Sequence, residues 1–205
     1  MQITPVERLR WSELLALQEL RRGDDVRGLQ LQATACGNVA KLGYGTRFAS
    51  SSLHPGRGEH WSENDGSCVL EISNGHGRAL LTGDIESSAE GHLAELGMWQ
   101  VSDVIVVPHH GSRSSSSAAL VGSIAAHCAI VSAGARNRWH FPHPEVVERW
   151  CRANTQVINT ADWGAISLDF KARTGMQPPR SYRAGHRHYW SAFAPLAGRS
   201  LLSGS

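Results

Sequence analysis

No stretch of this 205-residue chain approaches the ~18 consecutive apolar residues of a bilayer-spanning helix, and its amino terminus lacks a secretory-signal pattern. By itself the chain is expected to be soluble. Charge of one sign is also scarce. Twenty Lys and Arg against 18 Asp and Glu leave a formal net charge of +2, which excludes a broad electrostatic coat for nucleic acid. Any polyanion must therefore be held locally. The four cysteines, Cys36, Cys68, Cys128 and Cys151, lie far apart with no C-x-x-C spacing, so neither a zinc ribbon nor a disulfide framework is expected. Cys68 and Cys128 fall in apolar, strand-like runs, where a thiol serves as a small hydrophobe. No internal repeat is present, and the length suits one domain.

What is present centres on residues 103–117, DVIVVPHHGSRSSSS. Val104 to Val107 form a short, β-branched apolar run, the pattern of a strand covered on both faces, and Pro108 stops it. His109, His110 and Gly111 follow, at the carboxyl end of a strand, where α/β folds place ligand chemistry. A second strand over 78–83 ends in T-G-D-I-E, which delivers Asp84. A carboxylate and imidazoles from successive strand ends suit zinc, manganese or iron.

Around these runs the pattern predicts a helix over 5–22, weaker strands over 26–35 and 45–53, and a hairpin of 67–73 with 78–82 around Asn74-Gly75-His76-Gly77. It further predicts helices over 86–96 and 115–125, a strand over 128–132, a helix from Pro142 or Pro144, and strands over 156–160 and 164–170. The alternation after residue 78 predicts an α/β layered domain. After Ala172 a basic aromatic tail follows, frayed at its end.

The succession N-D-G-S-C-V-L, L-L-T-G-D-I-E, D-V-I-V-V-P-H-H-G-S-R-S-S-S-S, S-A-G-A-R-N-R-W, P-H-P-E-V and T-A-D-W-G-A-I resembles the carboxy-terminal metallo-β-lactamase-like domain of ComEC, a DNA-uptake competence protein, over residues 45–170. The resemblance implies a partial αββα sandwich over 1–172, with 173–205 as a tail. It implies inner-membrane relatives that pass single-stranded DNA into the cell, and a metal-dependent nuclease domain for the other strand. By residue, Asp84 matches the metal-bridging aspartate, and His109 and His110 match the late histidine motif, with His110 favoured as the one nearer the site. Zinc or manganese is the implied cofactor, DNA the implied partner. The superfamily's main metal motif, H-x-H-x-D-H, is absent. The chain is therefore expected to lack the amino-terminal half of its domain and the membrane channel, to bind metal weakly, and to expose a sheet edge open to homodimer pairing.

Ser112, Arg113 and Ser114 run toward a helix start, where hydroxyls and backbone N–H groups offer a phosphate cradle as well as ordinary capping. Arg138, with Arg136 and Trp139, either clamps a single strand by charge and stacking or forms a salt-bridged surface loop. Where relatives carry Gly-His-Pro this chain has His140-Phe141-Pro142, the histidine displaced by one position, so that His140, His143 or neither serves there. The function classes left open are part of a DNA nuclease, a catalytically inactive DNA-binding or scaffold module, and a hydrolase of small esters or lactones.

Overall fold

The structure is a computed structural model that describes residues 39–41, 47–51 and 62–186. The helix expected over 5–22 and the strand expected over 26–35 lie outside the described residues. One seven-stranded sheet dominates, in the order β1 (Val39–Lys41), β2 (Arg47–Ser51), β3 (Val69–Ser73), β4 (Arg78–Leu81), β5 (Val104–Val106), β6 (Cys128–Val131) and β7 (Gln156–Asn159). Strands β1 to β4 run antiparallel, and β4 to β7 run parallel. The hairpin of β3 and β4 forms where Asn74-Gly75 predicts it, with Gly75 at φ 77°.

Parallel strands need crossovers, and three helices supply them: α1 (Ser87–Glu95), α2 (Ala118–Ile124) and α3 (Pro144–Arg152). Register explains the layers. Leu80, Ile105 and Ala129 sit side by side on one face of the sheet and pack with Ala89, Leu93, Leu120, Ile124, Val146 and Trp150 from the helices. Ala79, Val104 and Cys128, one residue back on each strand, face the other way. There they meet Ile166, with Trp163, Leu168, Phe170 and Met176 packed alongside. The expected mixed sheet with flanking helices is thus present, in the order helices, long sheet and short strand pairs.

The strand expected over 164–170 is instead divided. A short helix, α4 (Thr160–Trp163), is followed by β8 (Ile166–Ser167) and β9 (Phe170–Lys171). Strand β10 (Gly175–Met176) pairs with β9, and β11 (Arg180–Ser181) pairs with β8 ahead of α5 (Tyr182–Gly185), so residues just past 172 add to this layer. The helix expected from 115 begins three residues later, because Ser116 takes a left-handed conformation, φ 57°, and Ser117 caps the Leu120 N–H. Among the described residues no helix is long and apolar enough to cross a membrane.

Cys68 is disulfide-bonded, which corrects both its reading as a plain apolar filler and the expectation, from the lack of C-x-x-C spacing, that the cysteines form no disulfide; an apolar neighbourhood does not by itself reveal a bond. Cys128 and Cys151 are free, the first buried and the second exposed. Burial pushes the Cys128 thiol up to about 12, because the thiolate would be desolvated. Maleimide labelling of the folded chain at mildly alkaline pH is therefore expected to modify Cys151 and spare Cys128, as read by peptide mapping. Equal labelling of both would overturn the packing described here.

Candidate functional site

Because β4 to β7 are parallel and in register, with Leu81 opposite Val106 and Val106 opposite Ile130, their carboxyl ends emerge at one edge. The Thr82 hydroxyl donates to the Val106 carbonyl at 2.8 Å and ties the ends of β4 and β5 together. Asp84 lies just beyond β4, and His109 and His110 just beyond β5.

His109 and His110 both adopt left-handed backbone, at φ 48° and 56°, ahead of Gly111 at 81°. For non-glycine residues this costs about 1–3 kcal/mol each. The sharp turn has a consequence that alternation along a strand cannot foretell: the two imidazoles stand together at one edge of the sheet, their centroids 6.5 Å apart, each against its own carboxylate. His110 Nε2 lies 3.5 Å from Asp84 Oδ1. His110 Nδ1 stands 2.7 Å from the Ser132 carbonyl oxygen at the end of β6. A carbonyl only accepts, so Nδ1 carries a proton, which leaves Nε2 as the ring atom turned to Asp84. His109 Nδ1 lies 3.2 Å from Glu86 Oε1 but makes no directed hydrogen bond.

Glu86 was not singled out in the sequence, although it follows Asp84 by two residues and extended backbone returns to the same side at that spacing. Its Oε1 also accepts from the Ser114 hydroxyl at 2.9 Å. Asp65, 3% exposed, holds the start of α1 by accepting the Glu86 N–H at 2.8 Å and the Ser88 hydroxyl at 2.6 Å. This gives the N-D-G stretch, which reads as a plain loop, a structural task.

The serine run is built differently from a simple cradle. The Ser116 and Ser117 N–H groups donate to the two oxygens of Glu90, at 2.6 and 2.7 Å, and the Ser115 N–H donates to the Ser112 carbonyl. The backbone donors of Ser115, Ser116 and Ser117, just ahead of α2, are therefore already engaged. Ser112 and Ser114 keep their hydroxyls toward the rim, 3.1 Å apart, with Arg113 exposed. Glu90 is itself 1% exposed. Burial raises its carboxyl above the ordinary value, while the N–H donors and Arg149 pull it back.

His143 contacts Arg113 through Nε2, and its N–H donates to the Gly111 carbonyl at 2.8 Å, so the loop before α3 closes over the histidine turn. His140 is exposed. Phe141 stacks on His110, centroids 6.4 Å apart, and meets His109 edge-on at 5.8 Å. Among the described residues Arg138 makes no ion pair. Its guanidinium lies 4.2 Å over the Trp139 ring.

Asp84 and His110 have the donor chemistry of cation ligands, but among the described residues no group of three or more His, Cys, Asp or Glu is placed to hold a metal. Catalytic zinc sites ordinarily have three protein ligands. The described residues thus do not form a complete metal site.

No protein-family model matches the chain. It is 38% identical over 125 residues to Recombination protein 2 of Haemophilus influenzae, covering 57% of this chain and 16% of that protein. It is 30% identical over 163 residues to ComE operon protein 3 of Bacillus subtilis, covering 80% of this chain and 19% of that one. With Competence protein ComA of Neisseria gonorrhoeae it shares 29% identity over 139 residues, 67% of this chain and 20% of the relative. The matches therefore span a fifth or less of these relatives' length. A crystal structure of a metal-dependent hydrolase of the β-lactamase superfamily aligns over 59% of this chain and 52% of the other at 13% identity, with a TM-score of 0.33, too partial a likeness to carry an argument.

Proposed function

We propose that this chain, whose curated homologues are ComEC-family competence proteins, supplies the carboxy-terminal hydrolase part of a DNA-uptake protein, with Asp84 and His110 as two ligands of a divalent cation. The observation that supports this most is the approach of Asp84 Oδ1 to His110 Nε2, 3.5 Å, at the carboxyl ends of adjacent parallel strands. The Ser132 carbonyl orients that imidazole as a partner of a ligating histidine would. Ser112, Arg113 and Ser114 stand close to Glu86 and His143, and the exposed Arg113 guanidinium suits a phosphodiester. His143 stands beside Arg113 and holds it at this rim.

Two donors do not make a hydrolytic centre, so cleavage requires ligands from outside the described residues. This count also favours a second reading, an inactive module that binds DNA without cutting it. The experiment that separates them is a manganese-dependent nuclease assay on the 205-residue chain and on a version extended upstream by about a hundred residues, the order of size that completes a domain. Cleavage by the extended version alone is the expected result. If neither version cleaves while both bind DNA, the second reading stands. In calorimetry the 205-residue chain is expected to bind zinc and manganese weakly; tight stoichiometric binding would show that it holds a complete donor set.

A further inference from the structure

The loop after β6 is held rigidly yet presents an aromatic ring to solvent. The Asn137 side-chain amide donates to the Gly134 and Phe141 carbonyls at 3.0 and 2.7 Å, and Asn137 Oδ1 accepts the Phe141 N–H at 2.8 Å. On this fixed backbone Trp139 is 60% exposed, a position that contributes little to folding for so large a ring. Trp139 and Phe141 are near parallel, 11° between planes and 6.3 Å between centroids, and Phe141 is in turn stacked on His110 at 26° and 6.4 Å. Three rings thus form a row from the surface to the imidazole facing Asp84. The outer end is cationic: Arg138 lies on the Trp139 ring, and Arg136 is exposed nearby.

A row of planar rings ending in guanidinium groups suits a chain of flat bases joined by phosphates, and it requires bases whose faces are open. In a duplex those faces are already stacked on one another. We infer that Arg138, Trp139 and Phe141 form a stacking site for an unpaired nucleobase, through which a single-stranded nucleic acid is led to the Asp84–His110 cleft. The inference rests on the nucleic-acid reading above and adds the row of rings, Trp139 and Phe141 leading to His110, by which an unpaired base is taken.

The test uses the full 205-residue chain and labelled oligothymidine, against a duplex of equal length, by fluorescence anisotropy in EDTA, so that binding is read apart from metal and cleavage. The wild type is expected to bind the single strand about ten-fold tighter than the duplex. Trp139→Leu is expected to lose about ten-fold in single-strand affinity, and Trp139→Phe to restore most of it. Arg138→Gln keeps the test available should Trp139→Leu fold poorly, and it is expected to weaken binding and flatten its salt dependence. Unchanged affinity in Trp139→Leu, equal affinity for duplex, or no binding of either probe would overturn the inference. An extended protein that fails to cleave DNA while this binding pattern holds would count against the hydrolase reading alone.

Discussion

Glu90→Gln, a nearly isosteric change, is expected to lower stability by about 3 kcal/mol and the melting temperature by roughly 6–12 °C. Both carboxylate oxygens of Glu90 accept backbone N–H groups, from Ser116 and Ser117. A glutamine has one acceptor and an NH₂, so one of these donors would face another donor at a residue only 1% exposed. The fold has little room to adjust. Arg149 holds the Ser115 and Ser116 carbonyls from the opposite side, and the Ser115 hydroxyl donates to the Pro108 carbonyl at 2.8 Å, tying this run to the histidine turn. Thermal unfolding followed by circular dichroism checks it, and a variant melting within a degree or two of wild type would show that the donors find other partners.

The same residue sets a pH dependence. Desolvation raises the Glu90 carboxyl above 4.5 in the folded state, so the folded protein holds its proton in a window where the unfolded chain has released it; the protonated acid, unlike glutamine, keeps an oxygen in front of each N–H. The contribution is fully present below the unfolded value and falls as pH rises through the folded one. Wild type is therefore expected to lose stability across this window more steeply than Glu90→Gln, and the difference between the two slopes isolates the group from other carboxyls.

Gly111→Ala is expected to cost about 3 kcal/mol, from left-handed backbone strain and overpacking together. Gly111 has φ +81°, and a Cβ there would stand 2.6 Å from Pro142 Cβ and 3.1 Å from its Cα. Neither is the far end of a flexible side chain, so the loop carrying Phe141 and His143 must move and the Gly111–His143 hydrogen bond must break. Gly122→Ala serves as the control: its added Cβ meets nothing within 4 Å in α2, and alanine favours helix, so it is expected to stabilise by about 0.5–1 kcal/mol. Similar melting shifts of one sign in the two variants would sink the steric explanation.

The strands at the centre of the fold were legible in the sequence because their signals are local. A β-branched run bounded by Pro108, a turn at Asn74-Gly75, and apolar alternation placing Leu80 and Ala79 on opposite faces depend on neighbouring residues alone. The division of 164–170 into two short strands was not legible, since those strands form only by pairing with residues 175–181. Glu86, Glu90 and Asp65 were missed for a related reason. Each is an ordinary acidic residue until a distant segment brings its partner: His109 to Glu86, the serine run to Glu90, the start of α1 to Asp65.

From its order of residue types alone, this sequence determined that buried parallel strands end in a carboxylate and paired imidazoles, because strand period and chain-breaking residues act over a few positions. Only the tertiary structure decided that Asp84 meets His110 while His109 meets Glu86. The left-handed turn that sets each ring against its own carboxylate is held by Gly83, Ser132 and the loop closing over Gly111, contacts made across the sheet rather than along the chain.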